Sequence, residues 1–386
     1  MYLINNIESI HTLALVKSAF KEYYFRLGKN IELPERIHQH EFGYMQFDSG
    51  MVRHLTFKSM GELLAALMRV SPSDVYCSNA YYLFPMNPIQ EKQWLGADLI
   101  FDIDAKDLHM PCDITHSYFV CSNCKKESEN NNTDPCNSCN IGKIKQISLP
   151  CAKCISGLKK ELRKLLDVLI NDIGIEYNDI SVYFSGNNGF HVHISNNAFS
   201  MLDSRARSDM VSYIMGNGII PETIGVRKSS VDNFTVKFPK SGLQYGWRKR
   251  LAEKLGIDGH STTKLANVVQ KLGGYDFFKL KLADLAKDMG TKIDPHVTVD
   301  VHRVFRLPGT LNSKSGLTKI KCTDIELFDP FYDACLLNDK EVEVKINASV
   351  KFRLRGQYFK ANKQLVNRLP LYAAVYLICK GLAQAT

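Results

Sequence analysis

Apolar residues recur along this chain with two different periods. Between Ile10 and Tyr24 they fall at helical spacing (Ile10, Leu13, Val16, Phe20, Tyr23, Tyr24), which predicts an amphipathic helix over residues 9–27. Residues 40–47 and 51–57 instead alternate around Asp48-Ser49-Gly50, the signature of a hairpin. A short helix is expected over residues 59–69, with Ser59 as its cap and Glu62 three positions on. Residues 75–84 lead towards a buried strand that carries Leu99-Ile100-Phe101-Asp102-Ile103-Asp104. A stripe of Ile155, Leu158, Leu162, Leu165, Leu166 and Leu169, with lysines and arginine mostly opposite, predicts a helix over residues 154–173. Residues 180–184 and 190–194 then flank the tight Ser185-Gly186-Asn187-Asn188-Gly189, a second hairpin. Helices are expected at 203–215 and 246–256, amid a stretch to residue 290 whose pattern assigns no role. Residues 294–306 alternate like a strand running into a donor-rich loop at 307–316, and a helix at about 370–383 closes the chain. The pattern is that of a mixed α/β protein.

Period two puts Asp102 and Asp104 on one face of their strand, with Leu99, Phe101 and Ile103 on the other. Two carboxylates so placed repel each other unless a cation lies between them. Mg²⁺ suits that arrangement, because it takes few protein carboxylates and fills its shell with water and substrate phosphates. A bare Asp-x-Asp is more often a pair of solvated acids, so its neighbours have to decide.

The cysteines sharpen the picture. Of eleven, seven lie between Cys112 and Cys154, and no secretory signal is recognisable at the N-terminus, so a disulfide framework is not expected. Cys121-x-x-Cys124, Cys136-x-x-Cys139 and Cys151-x-x-Cys154 have metal-ligand spacing, with Cys112 and His116 just upstream. Eight ligands imply two structural zinc ions. The nested pairing joins Cys121, Cys124, Cys136 and Cys139 inside a site of Cys112, His116, Cys151 and Cys154. The alternative joins Cys112 and His116 to the first Cys-x-x-Cys pair, and the last two pairs to each other.

Bulk composition constrains less. At 386 residues, 45% hydrophobic and 23% charged, the chain is long enough for one large domain with insertions. No apolar window is long enough for a membrane span. The net charge of +9 favours a polyanionic partner without demanding one.

Taken in order, the motifs resemble the small catalytic subunit of archaeal and eukaryotic-type primases. Asp98-Leu99-Ile100-Phe101-Asp102-Ile103-Asp104 is similar to that family's acidic motif, and Ser185-Gly186-Asn187-Asn188-Gly189-Phe190-His191 to its hairpin motif. The run through Asp294, Asp300, Arg303, Arg306, Pro308, Leu311, Lys314 and Gly316 resembles its third motif. His40-Glu41-Phe42-Gly43 with Arg53, and Leu369-Pro370 with the run from Val375 to Gly381, extend the likeness to both ends.

The resemblance implies an α/β core of α+β type spanning residues 1–386. Its mixed, mostly antiparallel sheet would be flanked by helices, with a zinc knuckle inserted at 112–154 and a helical insertion at 200–290. It implies RNA primer synthesis from nucleoside triphosphates on single-stranded DNA, with a large regulatory subunit as partner. Asp102, Asp104 and Asp294 would hold Mg²⁺ or Mn²⁺; by sequence alone Asp300 rivals Asp294. Ser185, His191, Arg306 and Lys314 would hold the triphosphate, with Glu41 and Arg53 near the nucleotide. Asn312 stands where the family has His, and Thr310 where it usually has Ser; Asn donates a hydrogen bond but no charge. An archaeal source would place the protein in the cytoplasm, a eukaryotic one in the nucleus. The rival readings are a primase-like polymerase of repair or mobile elements, and a zinc-ribbon nucleic-acid-binding protein without activity.

Overall fold

The computed structural model describes residues 10–124, 126–128, 135–195, 197–230, 233–238, 244–257, 261–363 and 365–386. The chain forms two compact units. The first comprises Met1–Lys159, Ser181–Met201 and Asp300–Thr386; the second comprises Lys160–Ile180 and Leu202–Val299.

In the first unit, α1 (Ile10–Leu27) buries Val16, Phe20, Tyr23 and Tyr24 of the expected stripe together with Thr12 and Ala19, whereas Leu13 is half-buried and Ile10, in the first turn, is exposed. β1 (Phe42–Met45) and β2 (Met51–Leu55) form the first hairpin. α2 (Met60–Val70) begins at Ser59, whose hydroxyl accepts from Glu62 N at 3.3 Å, and buries Leu63 and Leu67 one turn apart. β3 (Asp74–Ser78) lies along β1. β4 (Leu99–Asp104) is the acidic strand. α3 (Ala152–Asp167) follows the cysteine-rich insertion and runs from the first unit into the second. β5 (Ile180–Phe184) and β6 (Gly189–Ile194) form the second hairpin, followed later by β7 (Val304–Arg306) and β8 (Ile320–Lys321). α4 (Leu371–Cys379) is buried at every position, as an apolar helix without a polar face must be.

Two four-stranded sheets carry the site, one ordered β7-β3-β1-β2 and the other β8-β5-β6-β4. The β3–β7 pair is antiparallel, and so are β1–β2, β4–β6 and β5–β8. Smaller antiparallel sheets complete the unit, giving the mixed α/β, mostly antiparallel class.

The second unit is mainly helical: Ser204–Met215, Gly246–Lys254, Thr262–Lys271 and Tyr275–Met289 surround a core of Trp247, Leu251, Leu265, Val269, Phe278 and Leu282. One expectation fails here. Residues 295–299 form a short helix, Pro295–Val299, and only Val304–Arg306 is strand. The alternation of Val297, Val299 and Val301 is overridden locally, because the Asp294 carboxylate accepts from His296 N at 3.0 Å and Pro295 occupies the first turn. No helix among the described residues is long and apolar enough to cross a membrane.

Candidate active site and metal centres

The burial of β4 alternates as its sequence demands: Phe101 and Ile103 are fully buried, while Asp102 and Asp104 on the opposite face are half-buried. Asp104 Oδ1 accepts from Lys106 N at 3.1 Å, and burial raises its pKa above the usual carboxylate value. Antiparallel register sets His191 opposite Asp102 and Gly189 opposite Asp104. The acidic motif and the hairpin motif, whose facing residues Asp102 and His191 are 89 positions apart in sequence, thus lie on adjacent strands of one sheet. Residues directly opposite in an antiparallel pair share a face. His191 Nε2 lies 3.5 Å from Asp102 Oδ1. Burial, aided by the charges of Lys319, Arg306 and Arg303, keeps His191 well below the usual imidazole pKa, so the ring is neutral. Its Nδ1 is buried without a hydrogen-bond partner among the described residues, a polar atom left over for a ligand or water.

Close approach explains the two glycines of the turn. A Cβ on Gly189 would stand 2.4 Å from the backbone oxygen of Ile103, beside the acidic strand. Gly186 has a φ of +81° and is packed against Asn312 and the backbone of Leu317 and Lys319. The Ser185 hydroxyl accepts from Asn187 N at 3.3 Å and Gly189 N at 3.2 Å, which fixes the turn from within.

The 307–316 loop supports that turn from outside. Asn312 is buried, accepts from Lys314 N at 3.0 Å and donates to Ser185 O at 3.3 Å, while the Ser315 hydroxyl donates to Gly186 O. Asn312 therefore spends its amide on bracing the hairpin. Thr310 is buried and donates to Leu307 O at 2.6 Å. Lys314 is exposed, and its charge acts on Asp104. Arg306 is largely committed within the fold: Nη1 lies 2.6 Å from Asp74 Oδ1 and 2.7 Å from Leu311 O.

Glu41 and Arg53 meet across the β1–β2 hairpin. Glu41 is fully buried and accepts from Arg53 Nε at 2.9 Å and Nη2 at 3.1 Å. A register irregularity in β2 and the left-handed backbone of His54 (φ 62°) bring the His54 N–H to the same carboxylate. Buried Lys92 adds its ammonium at 3.1 Å. Burial alone would raise the Glu41 pKa, but the bonds from Arg53 and Lys92 outweigh it, and the carboxyl stays below its ordinary value. Sequence reasoning missed Lys92. It also missed Lys319, fully buried with Nζ 3.0 Å from His193 Nε2, whose pKa burial pulls down to about 7. A cavity of about 300 Å³ adjoins this region. Arg306 and His193 line it, but Asp102, Asp104, Ser185 and His191 do not.

Asp294 belongs to the second unit, at the start of its Pro295–Val299 helix. Asp300 opens the last segment of the first unit and accepts from His302 N at 2.9 Å.

The cysteine-rich insertion holds two groups, Cys112–His116–Cys151–Cys154 and Cys121–Cys124–Cys136–Cys139, with all ligand atoms of each within 4.8 Å of one another. This is the nested arrangement. Sulfur separations of 3.5 Å (Cys112–Cys154), 3.7 Å (Cys121–Cys139) and 3.8 Å (Cys124–Cys136) match the edge of about 3.8 Å that a Zn–S bond of about 2.3 Å gives a tetrahedron. His116 Nε2 lies 3.1 Å from Cys154 Sγ, while Ser148 Oγ contacts Nδ1 at 3.2 Å and orients the ring. Both groups fit zinc.

Residues 134–323 match the family model described as DNA primase small subunit. The DNA primase small subunit of Nitrosopumilus maritimus is 46% identical over 96% of this chain and 98% of its own length. That of Cenarchaeum symbiosum is 42% identical over 97% and 98%. Among solved structures, the polymerase domain of Mycobacterium tuberculosis ligase D in complex with DNA aligns over 86% of this chain and 89% of its own, at 11% identity and a TM-score of 0.38. With end-to-end identity of that order to archaeal relatives, the chain belongs to the DNA primase small subunit family.

Proposed function

We propose that this protein is a nucleotidyltransferase that joins ribonucleoside triphosphates into short RNA primers on single-stranded DNA. Asp102, Asp104 and Asp294 would hold two Mg²⁺ or Mn²⁺ ions. The observation that carries the reading is the β4–β6 register, which sets His191 and the Ser185 turn directly beside the two carboxylates. In phosphoryl-type transfer the protein mainly positions groups and neutralises charge. The bound ions would supply charge stabilisation at the attacking and leaving oxygens. Asp102 and Asp104 fit that task, because they share a face and burial disfavours ionisation of Asp104 without a cation. His191, neutral and with an unused Nδ1, and the Ser185 turn would orient the triphosphate. Lys314 would meet its phosphates. Arg306 would act through the loop it anchors, and Asn312 by bracing the turn. Glu41 and Arg53, locked to each other, would border the nucleotide.

The test is primer synthesis from labelled ribonucleotides on unprimed single-stranded DNA. Short products are expected only with Mg²⁺ or Mn²⁺ present. No product under any metal condition, even with a large regulatory subunit added, would overturn the reading. That subunit is the expected partner, and the cytoplasm of an archaeal cell the expected location.

The two thiolate-rich groups would each hold one structural Zn²⁺. Elemental analysis is expected to find two zinc ions per chain, falling to one in Cys136→Ser with the site of Cys112, His116, Cys151 and Cys154 retained. A single zinc in the wild type would contradict this.

A further inference from the structure

Lys380 is a buried cation in an unusual place. It follows α4, and it is only 8% exposed. Its Nζ donates to Asn187 Oδ1 at 2.8 Å and Asn188 Oδ1 at 3.2 Å, the two central residues of the Ser185 turn. No carboxylate forms an ion pair with it among the described residues, although buried charges normally carry such a partner. The carboxylate whose field acts on it is Asp104, and its positive neighbour is Lys314. The third-motif loop reaches the same helix: a Cβ on Gly316 would stand 2.8 Å from Val375 Cγ1. Two lysines from separate segments therefore converge on the Asp104 end of the acidic strand, with one half-buried carboxylate between their fields. The turn beside them supplies no cation of its own, since its central residues are asparagines. Two ammonium groups beside a turn that carries no charge of its own suit the oxygens of a phosphate chain.

We propose that Lys380 is a further nucleotide-binding residue, presenting its ammonium to the phosphates of the incoming nucleoside triphosphate where they lie against the Ser185 turn. The proposal rests on the nucleotide site described above. It assigns to the C-terminal helix the role of carrying a phosphate ligand, beyond packing. Charge-assisted hydrogen bonds to phosphate are about twice as strong as neutral ones. The contribution should therefore grow with the number of phosphates, whereas a lysine that only locks the turn would affect all nucleotides alike.

Lys380→Gln separates the two roles, because Gln still donates to Asn187 and Asn188 but carries no charge. Equilibrium binding of ATP and AMP in Mn²⁺ is measured on the full chain, with thermal melting as a check on folding. The expected result is ATP binding at least about tenfold weaker in Lys380→Gln, AMP within about twofold, and recovery of ATP binding in Lys380→Arg. Lys380→Met serves if the Gln chain does not fold. Equal weakening of ATP and AMP, or no weakening, would overturn the role of Lys380. A wild-type chain that binds neither nucleotide would instead overturn the nucleotide site itself.

Discussion

Asn in place of Asp104 is expected to cut nucleotide incorporation at least about a thousandfold, roughly 4 kcal/mol in the barrier, while the chain stays folded and keeps its affinity for single-stranded DNA. The geometry separates these outcomes. An Asn Oδ1 can still accept from Lys106 N, so the end of β4 remains capped. What is lost is charge. Burial raises the folded-state pKa of Asp104, so the ionised carboxylate opposes folding at every pH above its unfolded pKa. Asn removes that opposition, and in metal-free buffer at neutral pH the variant should melt no lower than the wild type. A cation bound at Asp102 and Asp104 stabilises the folded state by linkage. Mn²⁺ should therefore raise the melting temperature of the wild type more than that of the variant. Undiminished primer synthesis by Asp104→Asn would refute the metal-site assignment, as would equal stabilisation of both chains by Mn²⁺.

Features governed by local rules were legible in the sequence. The Asp102–Asp104 face follows from strand period alone. The metal groups follow from Cys-x-x-Cys turns, which place two thiolates on one tetrahedral edge whatever surrounds them. The nested pairing is not forced by spacing, because it depends on which strands of the insertion meet: residues 117–121 pair with 144–148, closing the inner group within the outer one. The Pro295–Val299 helix was hidden because valines alternate there, and one carboxylate-to-backbone bond outweighed their strand preference. Lys92 and Lys319 look like surface lysines in sequence. Each is buried by a partner far away in the chain, Glu41 or His193, and no short-range pattern reports such a contact. Arg306 shows the same limit. The motif places it among phosphate ligands, but only the fold reveals the acid that takes up its charge.

That acid is the subject of the largest expected stability effect. Asp74→Asn should destabilise the chain by about 3–5 kcal/mol, a large share of an ordinary protein's total. The Asp74 side chain is fully buried. Oδ1 accepts from Arg306 Nη1 at 2.6 Å and Ser313 N at 3.1 Å, and Oδ2 from Ser313 Oγ at 2.6 Å and Ser73 Oγ at 3.0 Å. One carboxylate thus ties β3 to β7 and to the loop that braces the Ser185 turn. Asn preserves the shape but leaves a buried guanidinium facing Leu311 O and the Tyr76 ring with no counter-charge. Burial alone would raise the Asp74 pKa, but Arg306 and Ser313 outweigh it and the carboxyl sits below its ordinary value. A depressed carboxylate contributes stability that is present above its unfolded pKa of about 3.9 and lost as pH falls through the folded one. Urea unfolding should therefore show wild type and Asp74→Asn well separated at pH 7 and converging below about pH 4. Adding Arg306→Met should restore part of the loss, because it removes the stranded charge. If Asp74→Asn instead unfolds at the wild-type urea concentration while its KM for nucleotide rises, Arg306 serves the phosphates directly and its bond to Asp74 is incidental.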